Sequence, residues 1–436
     1  MLELFVSHIE NQLPFLTKGK CLIAISGGLD SVVLSQLCHN LKFEMALAHC
    51  NFHLRGDESD ADEDFVLQWA EDLDVEVFIE HFDTESYAKE HQLSVQMAAR
   101  ELRYQWFDEL ITQLNFDYLL TAHHADDNLE TFLINLSRGT GLEGLTGIPE
   151  VNGTTVRPLL PFSREQIEAY AKENKLEWRE DSSNASTKYL RNKLRHEVIP
   201  ALKEANPQLL QNFNKTLSFL QDNNGIIEDR IAEVQKKVVT VEDNVLKLDI
   251  KKIQKLSDPK AYLYQLLKDF NFTEWNDVTN LLSAQPGKQV FSETHRLVRD
   301  REYLLLTELE HEDQKEMLIS ESDKQLGTAV GTLYFDEADA IFGKRTNVIF
   351  VDKEKLKFPL TFRKWKEGDY FYPFGMKGKK KLSKYLKDQK LSLIDKEHIW
   401  VLCSGNDIVW VVNRRADDRF KVEKNTSQIL KIELTK

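Results

Sequence analysis

The stretch from Cys21 to His39 constrains the fold more than any other part of the chain. An apolar run, Cys21-Leu22-Ile23-Ala24-Ile25, stops at Ser26-Gly27-Gly28, and Leu29-Asp30-Ser31 leads into a segment with Val33, Leu34 and Leu37 at helical spacing. Such a run has the length and composition of a strand buried in a parallel sheet. The two glycines let the chain turn sharply and bring backbone N–H groups close to a ligand. A helix N-terminus at the same place adds donors and a partial positive charge, so the turn suits an anion. Its spacing is neither G-x-x-x-x-G-K-[ST] nor G-x-G-x-x-G, which excludes the two commonest nucleotide loops. On these residues alone, an ordinary strand–turn–helix corner stays open.

Downstream, the pattern alternates. Strands are expected at Glu44–Cys50, Val75–Phe82 and Asp117–Ala122, and helices at 30–41, 58–73 and 94–114. Strands alternating with helices predict an α/β fold, a Rossmann-like parallel sheet with helices on both faces. In such sheets ligands bind at the carboxyl ends of the strands. Three polar segments follow strand ends: the glycine turn, His49 to Arg55 (with Asn51 and His53), and His123-His124-Ala125-Asp126-Asp127-Asn128-Leu129-Glu130. Asp127 and Glu130 fall at i, i+3, so their carboxylates share a helix face. There they could hold Mg²⁺, bind or deprotonate an amine, or simply complement the helix dipole. His49, His53, His123 and His124 also raise zinc, although no compact ligand quartet appears. Arg100 with Arg103, and Arg191 with Arg195, form two-arginine faces that suit phosphate or surface ion pairs. Beyond, Arg138–Gly147 reads as a glycine-rich loop and Arg157–Pro161 as extended. Ser163 to Gln166 has the form of a capping box opening a helix, Trp178–Asn184 is a polar loop, and Tyr189 begins a basic helix running to Ile199.

At 436 residues the chain exceeds a single core. Helical spacing dominates 207–285, a hairpin is expected at 286–308, and short strands at 315–362. The organisation read from this is 1–205 catalytic, 206–310 mainly helical, 311–360 connecting strands and 361–436 a small basic α/β domain. Net charge is −14, but residues 363–390 hold ten Lys/Arg against three Asp/Glu. A local basic field of that kind is compatible with RNA, or with a solvated face. Four scattered cysteines without a C-x-x-C pair fit a reducing cytoplasm. No run is long and apolar enough to span a bilayer, and the N-terminus has no signal-peptide pattern.

Several motifs together carry a resemblance. Ser26–Ser31 resembles the pyrophosphate loop of the PP-loop ATPases. Joined with Ala99–Tyr104, His123–Thr131, Arg138–Leu142, Asp181–Asn184 and Arg191–Arg195, it is similar to the bacterial tRNA(Ile)-lysidine synthetases. The likeness is dense over 20–205, weakens through 206–340, and returns at Trp365–Asp369 with Pro373, Gly375 and the lysine loop. The resemblance implies ligation of free L-lysine to carbon 2 of the wobble cytidine of a CAU-anticodon tRNA(Ile), using ATP and Mg²⁺ through an adenylated intermediate. It further implies that Ser26, Gly27, Gly28, Leu29, Asp30 and Ser31 cradle ATP with Asp30 at the metal, and that Asp127 and Glu130 hold the lysine amine. Arg103 and His123 would flank the reacting phosphate, Arg191 and Arg195 would contact ATP or RNA, and Lys379, Lys380 and Lys381 would contact tRNA. A cytoplasmic location and no membrane partner are expected, with a homodimer allowed but not specified. One departure stands out: Phe52 occupies the place of a family histidine and His53 that of a glycine. Of the rival readings, a tRNA thiolase commonly needs cysteine pairs and an amidotransferase needs a glutaminase part or an N-terminal cysteine, both absent here. A non-catalytic RNA binder is disfavoured by the intact loop and carboxylate pair.

Overall fold

The computed structural model describes residues 1–180, 190–242, 244–309, 316–342 and 345–435. The expected loop Asp181–Asn184 therefore lies outside the described residues. The chain divides into two compact units, Met1–Glu228 and Asp229–Lys436.

The first unit is built as its alternating pattern requires. After α1 (Leu2–Gln12) come β1 (Cys21–Ala24), α2 (Leu29–Asn40), β2 (Met45–Asn51), α3 (Asp57–Leu73), β3 (Val77–His81), α4 (Thr84–Glu90), α5 (Val95–Leu114), β4 (Tyr118–Leu120) and α6 (Ala125–Arg138). A helical turn α7 (Leu142–Leu145), a short hairpin of β5 (Val151–Asn152) and β6 (Thr155–Val156), and α8 (Arg164–Glu173) follow. The strand order is β3-β2-β1-β4-β6-β5, parallel except between β5 and β6. Consecutive side chains of β1 point to opposite faces. Cys21 and Ile23 enter a core with Val33, Leu34 and Leu37 of α2 and Ile167 of α8, whereas Leu22 joins Trp106 and Phe107 of α5 on the other face. Because β1 lies between β2 and β4, the order reverses at its edge, where the turns after β1 and β4 leave the same end of the sheet.

Two local expectations are corrected. Arg157–Pro161 is a turn rather than extended, closed by hydrogen bonds from Leu160 N to Arg157 O and from Phe162 N to Leu159 O. The glycine-rich loop contains α7, closed by Thr146, whose N and Oγ1 both donate to Glu143 O. The capping box at Ser163 and Gln166 forms as expected. The basic segment is α9 (Leu190–Lys193), a π-helical turn Leu194–Val198, and α10 (Ile199–Ala205), which tolerates Pro200 in its first turn, where a missing N–H costs nothing.

Helix α11 (Leu209–Val238) packs Phe213 and Leu217 beside Leu129 of α6 and continues into the second unit. There the helical region α12 (Ile250–Ile253), α13 (Pro259–Leu267) and α14 (Trp275–Asn280) covers a five-stranded antiparallel sheet. Its strands are β7 (Val239–Glu242), β8 (Val245–Asp249), β9 (Gln289–Phe291), β10 (His295–Arg299) and β11 (Tyr303–Glu308).

The remaining strands are β12 (Met317–Ile319), β13 (Gln325–Thr328), β14 (Gly331–Ala338), β15 (Val348–Asp352), β16 (Leu360–Lys364), β17 (Tyr370–Phe371), β18 (Lys380–Lys381), β19 (Trp400–Ser404), β20 (Asp407–Val411), β21 (Arg415–Ala416) and β22 (Ile429–Thr435), with helices α15 (Leu382–Asp388) and α16 (Leu393–Glu397). The strands expected between 311 and 360 pair with strands further along the chain. β12 pairs with β16, and β14 and β15 flank β22. Ile319, Leu333 and Val351 share one core with Phe362, Trp400 and Trp410, so burial of both sheets' inner faces joins these strands to the terminal domain. All four cysteines are free; Cys21, Cys38 and Cys403 are buried and Cys50 is partly so.

Candidate active site

The turn after β1 is closed from within by its two serines. Ser31 Oγ donates to Gly28 O (3.0 Å) and accepts from Ser26 N (3.2 Å), while Gly28 N donates to Ser26 Oγ (3.3 Å). Gly27 has φ +81°, a conformation glycine adopts without strain. A Cβ there would lie 3.3 Å from the Phe65 ring. Gly28 is the N-cap of α2, so the turn delivers its chain to a helix start carrying Asp30 in the first turn.

Beside this turn, α6 begins shortly after β4. His124 N donates to Asp127 Oδ2 (3.1 Å), which fixes that carboxylate at the helix start. The His124 ring is 1% exposed, with Nε2 3.4 Å from Asp127 Oδ2 and 3.7 Å from Asp30 Oδ2. The same imidazole therefore touches both the glycine-turn acid and the acid pair. Asp30 Oδ1 is buried and has no hydrogen-bond partner among the described residues, while Oδ2 meets Arg164 Nη1 at 3.4 Å. Burial pushes the Asp30 carboxyl up, against the pull of His124 and Arg164.

Arg195, from the π-helical turn, forks onto the acid pair. Its Nε donates to Glu130 Oε1 (2.6 Å), and its Nη2 donates to Glu130 Oε2 (2.9 Å) and Asp127 Oδ1 (2.8 Å). Arg191 Nε adds a contact at 3.2 Å to Glu130, whose side chain is 1% exposed. Burial acts to raise Asp127, but His124 and Arg195 outweigh it and hold the carboxyl below its usual range. Burial wins at Glu130, which sits above its usual range despite Arg195. Two carboxylates pushed apart in this way can divide the tasks of binding a cation and moving a proton.

The other expected residues are more dispersed. His123 Nδ1 meets Thr121 Oγ1 at 3.0 Å, and burial pulls its pKa down to about 4. Arg103 lies 5.1 Å above the Phe52 ring, which stacks on Phe82. No contact joins Arg103 to His123 or the acid pair among the described residues. The aromatic at position 52 thus serves as a platform for Arg103. The zinc reading fails on placement: His49 Nδ1 hydrogen-bonds Ile25 O, His53 pairs with His81, and His124 lies among carboxylates. Among the described residues no His, Cys, Asp and Glu side chains converge as a metal-binding group of three.

In the C-terminal domain the lysine loop lines a cavity of about 420 Å³ with Pro373, Met376, Lys384 and Asp388. Lys379 Nζ sits 3.4 Å from the Tyr370 ring centre, and Lys380 Nζ pairs with Asp388 at 2.8 Å. Lys377, Lys381 and Lys384 form no ion pair among the described residues.

Sequence reasoning raised His124 only as a zinc candidate, not as a link between Asp30 and Asp127, and passed over Arg164. Position 124 carried a signal, since a histidine between a strand end and a run of acids becomes the N-cap; Arg164 carried none, because only the fold brings α8 against α2.

Comparisons with known proteins bear on all of this. A PP-loop domain family matches residues 2–202, a TilS substrate binding domain 241–309, and a TilS substrate C-terminal domain 360–434. The chain is 43% identical over 415 residues to the tRNA(Ile)-lysidine synthase of Parabacteroides distasonis, covering 94% of each. It is 38% identical to that of Bacteroides thetaiotaomicron, over 98% of this chain and 97% of the relative. The Caldanaerobacter subterraneus protein of the same name is 30% identical, over 100% and 98%.

Proposed function

From the premise that the chain belongs to the tRNA(Ile)-lysidine synthase family, an ATP-dependent ligase family, we propose how its own residues divide the reaction. The substrates are ATP, free L-lysine and a tRNA(Ile) with a CAU anticodon, and lysine is joined to carbon 2 of the wobble cytidine. The observation that carries the reading is the single imidazole, His124, within 3.7 Å of Asp30 and 3.4 Å of Asp127. It links a phosphate-binding turn to an amine-binding acid pair.

Ser26, Gly27, Gly28, Leu29 and Ser31 present backbone amides and hydroxyls to the phosphates at the start of α2. The unpaired Asp30 Oδ1 fits a Mg²⁺ ion, which takes one or two carboxylates beside substrate phosphates. Bound there, Mg²⁺ supplies positive charge to the departing pyrophosphate. The neutral imidazole of His123, with Arg103 on its Phe52 platform, faces the phosphate transferred to the cytidine oxygen. Asp127, ionised, holds the lysine ε-ammonium, and Glu130, with its raised pKa, takes the proton as the amine attacks carbon 2 and AMP leaves. Arg191 and Arg195 screen the acids and meet RNA phosphate, and the lysine loop of the C-terminal domain meets the tRNA backbone. Among the described residues no helix is long and apolar enough to cross a membrane.

Incubation with ATP, labelled lysine and unmodified tRNA(Ile), followed by nucleoside analysis, tests the proposal. Label in a modified cytidine, with AMP and pyrophosphate released in step, is expected. Absence of lysine from the nucleoside, or ATP–pyrophosphate exchange that ignores the tRNA, would overturn it.

A further inference from the structure

Helix α3 opens with Asp57, Glu58 and Asp60 in its first turn, and one carboxylate of this acidic helix is turned inward. Asp62 is 9% exposed at its side chain and holds two arginines from distant parts of the chain. Oδ2 takes Arg55 Nη2 at 2.9 Å, from the segment after β2, and Oδ1 takes Arg179 Nε at 3.0 Å. Arg179 in turn lies along the glycine turn. Its backbone N donates to Gly27 O (2.9 Å), and Arg179 and Gly28 form an isolated parallel β-bridge. The same helix approaches the turn a second time through Phe65, whose ring would stand 3.3 Å from a Cβ at Gly27.

A buried ion pair is weak evidence for stability, since apolar residues of similar volume often replace one at no loss. What an ion pair does supply is direction. We propose that Asp62 is a positioning residue for ATP: through Arg179 it sets the placement of Gly27 and Gly28, the backbone that meets the phosphates. This rests on the reading of residues 26–31 as the phosphate site. Asp62 touches no substrate in this scheme; it fixes the brace that fixes the turn.

The test is steady-state lysidine formation by the full-length chain, with ATP and lysine varied separately. Asp62→Asn, which keeps the volume and removes the charge, is expected to raise the KM for ATP about tenfold and to leave the KM for lysine within about twofold. Arg179→Gln should raise it equally, and the double variant no further than either alone, because one acts through the other. Equal shifts for ATP and lysine, additive effects, or an unchanged ATP KM would overturn the proposal. Should Asp62→Asn fail to fold, Arg179→Gln carries the test, its side chain being 41% exposed. Ser31→Ala separates the two readings. If Ser31→Ala leaves the ATP KM unchanged, the phosphate-site reading fails; if it raises the KM and the Asp62 and Arg179 variants do not, only the brace fails.

Discussion

Replacing Glu130 with glutamine keeps the shape of the side chain and removes one charge from the acid pair. In the native site both Glu130 oxygens accept from Arg195, at 2.6 and 2.9 Å, and Arg191 stands at 3.2 Å. Glutamine keeps one acceptor and turns an NH₂ group toward an arginine donor. A charge-assisted hydrogen bond contributes about 1.5–3 kcal/mol, which for an ammonium leaving this 1%-exposed carboxylate corresponds to about 10–100-fold in affinity. An incoming ammonium competes with Arg195 for the same oxygens, and the variant loosens Arg195 too, so the lower end applies. Glu130→Gln should therefore raise the KM for lysine about tenfold, lower kcat because the proton acceptor is gone, and leave the KM for ATP nearly unchanged. Lysidine formation across a grid of lysine and ATP concentrations measures both, with thermal unfolding run in parallel to account for folded protein. Equal changes in the two KM values, or an unchanged lysine KM, would refute the assignment of Glu130 to the amine.

Other expectations are as specific. His123, with its pKa near 4 against an ordinary 6.5, is favoured neutral in the folded chain, so its contribution is complete above pH 6.5 and lost as pH falls toward 4. That loss amounts to about 3 kcal/mol, and His123→Asn should flatten the pH dependence of thermal unfolding in that window. Gly27→Ala places a Cβ against Phe65 at φ +81°, costing about 1–2 kcal/mol, and should weaken ATP binding in a direct titration. Replacing Lys377, Lys381 and Lys384 together by alanine should lower the salt slope of tRNA binding by about 3, since each phosphate contact releases about one counterion. Lys380→Ala should lower it less, because its ammonium already pairs with Asp388.

The catalytic sheet was legible because its signals are local. Five apolar residues, two glycines and an acid at a helix start specify β1, the turn and α2 with little help from elsewhere. The i, i+3 spacing likewise placed Asp127 and Glu130 on one face before any fold was known. Contacts that depend on the return of distant chain were not legible. Arg195 reaches Glu130 across 65 positions, and Arg179 reaches Asp62 across 117. Nor did the strands of 316–352 reveal their partners: short antiparallel strands look alike until β22, at the far end of the chain, pairs with β14 and β15. Phe52, beneath Arg103 and stacked on Phe82, was likewise not legible as an arginine platform from the sequence.

The placement of the four cysteines gives the molecule its own indicator of unfolding. Burial pushes Cys21 and Cys50 up to about 12, Cys403 to about 11, and Cys38 well above the ordinary thiol. At neutral pH almost no thiolate is offered to a disulfide reagent, so the folded chain should be nearly silent to it. Three of these sulfurs lie in the nucleotide-binding unit and one in the terminal sheets. As the temperature rises, colour released in a step of three and a step of one would time the opening of each unit separately, with no label attached.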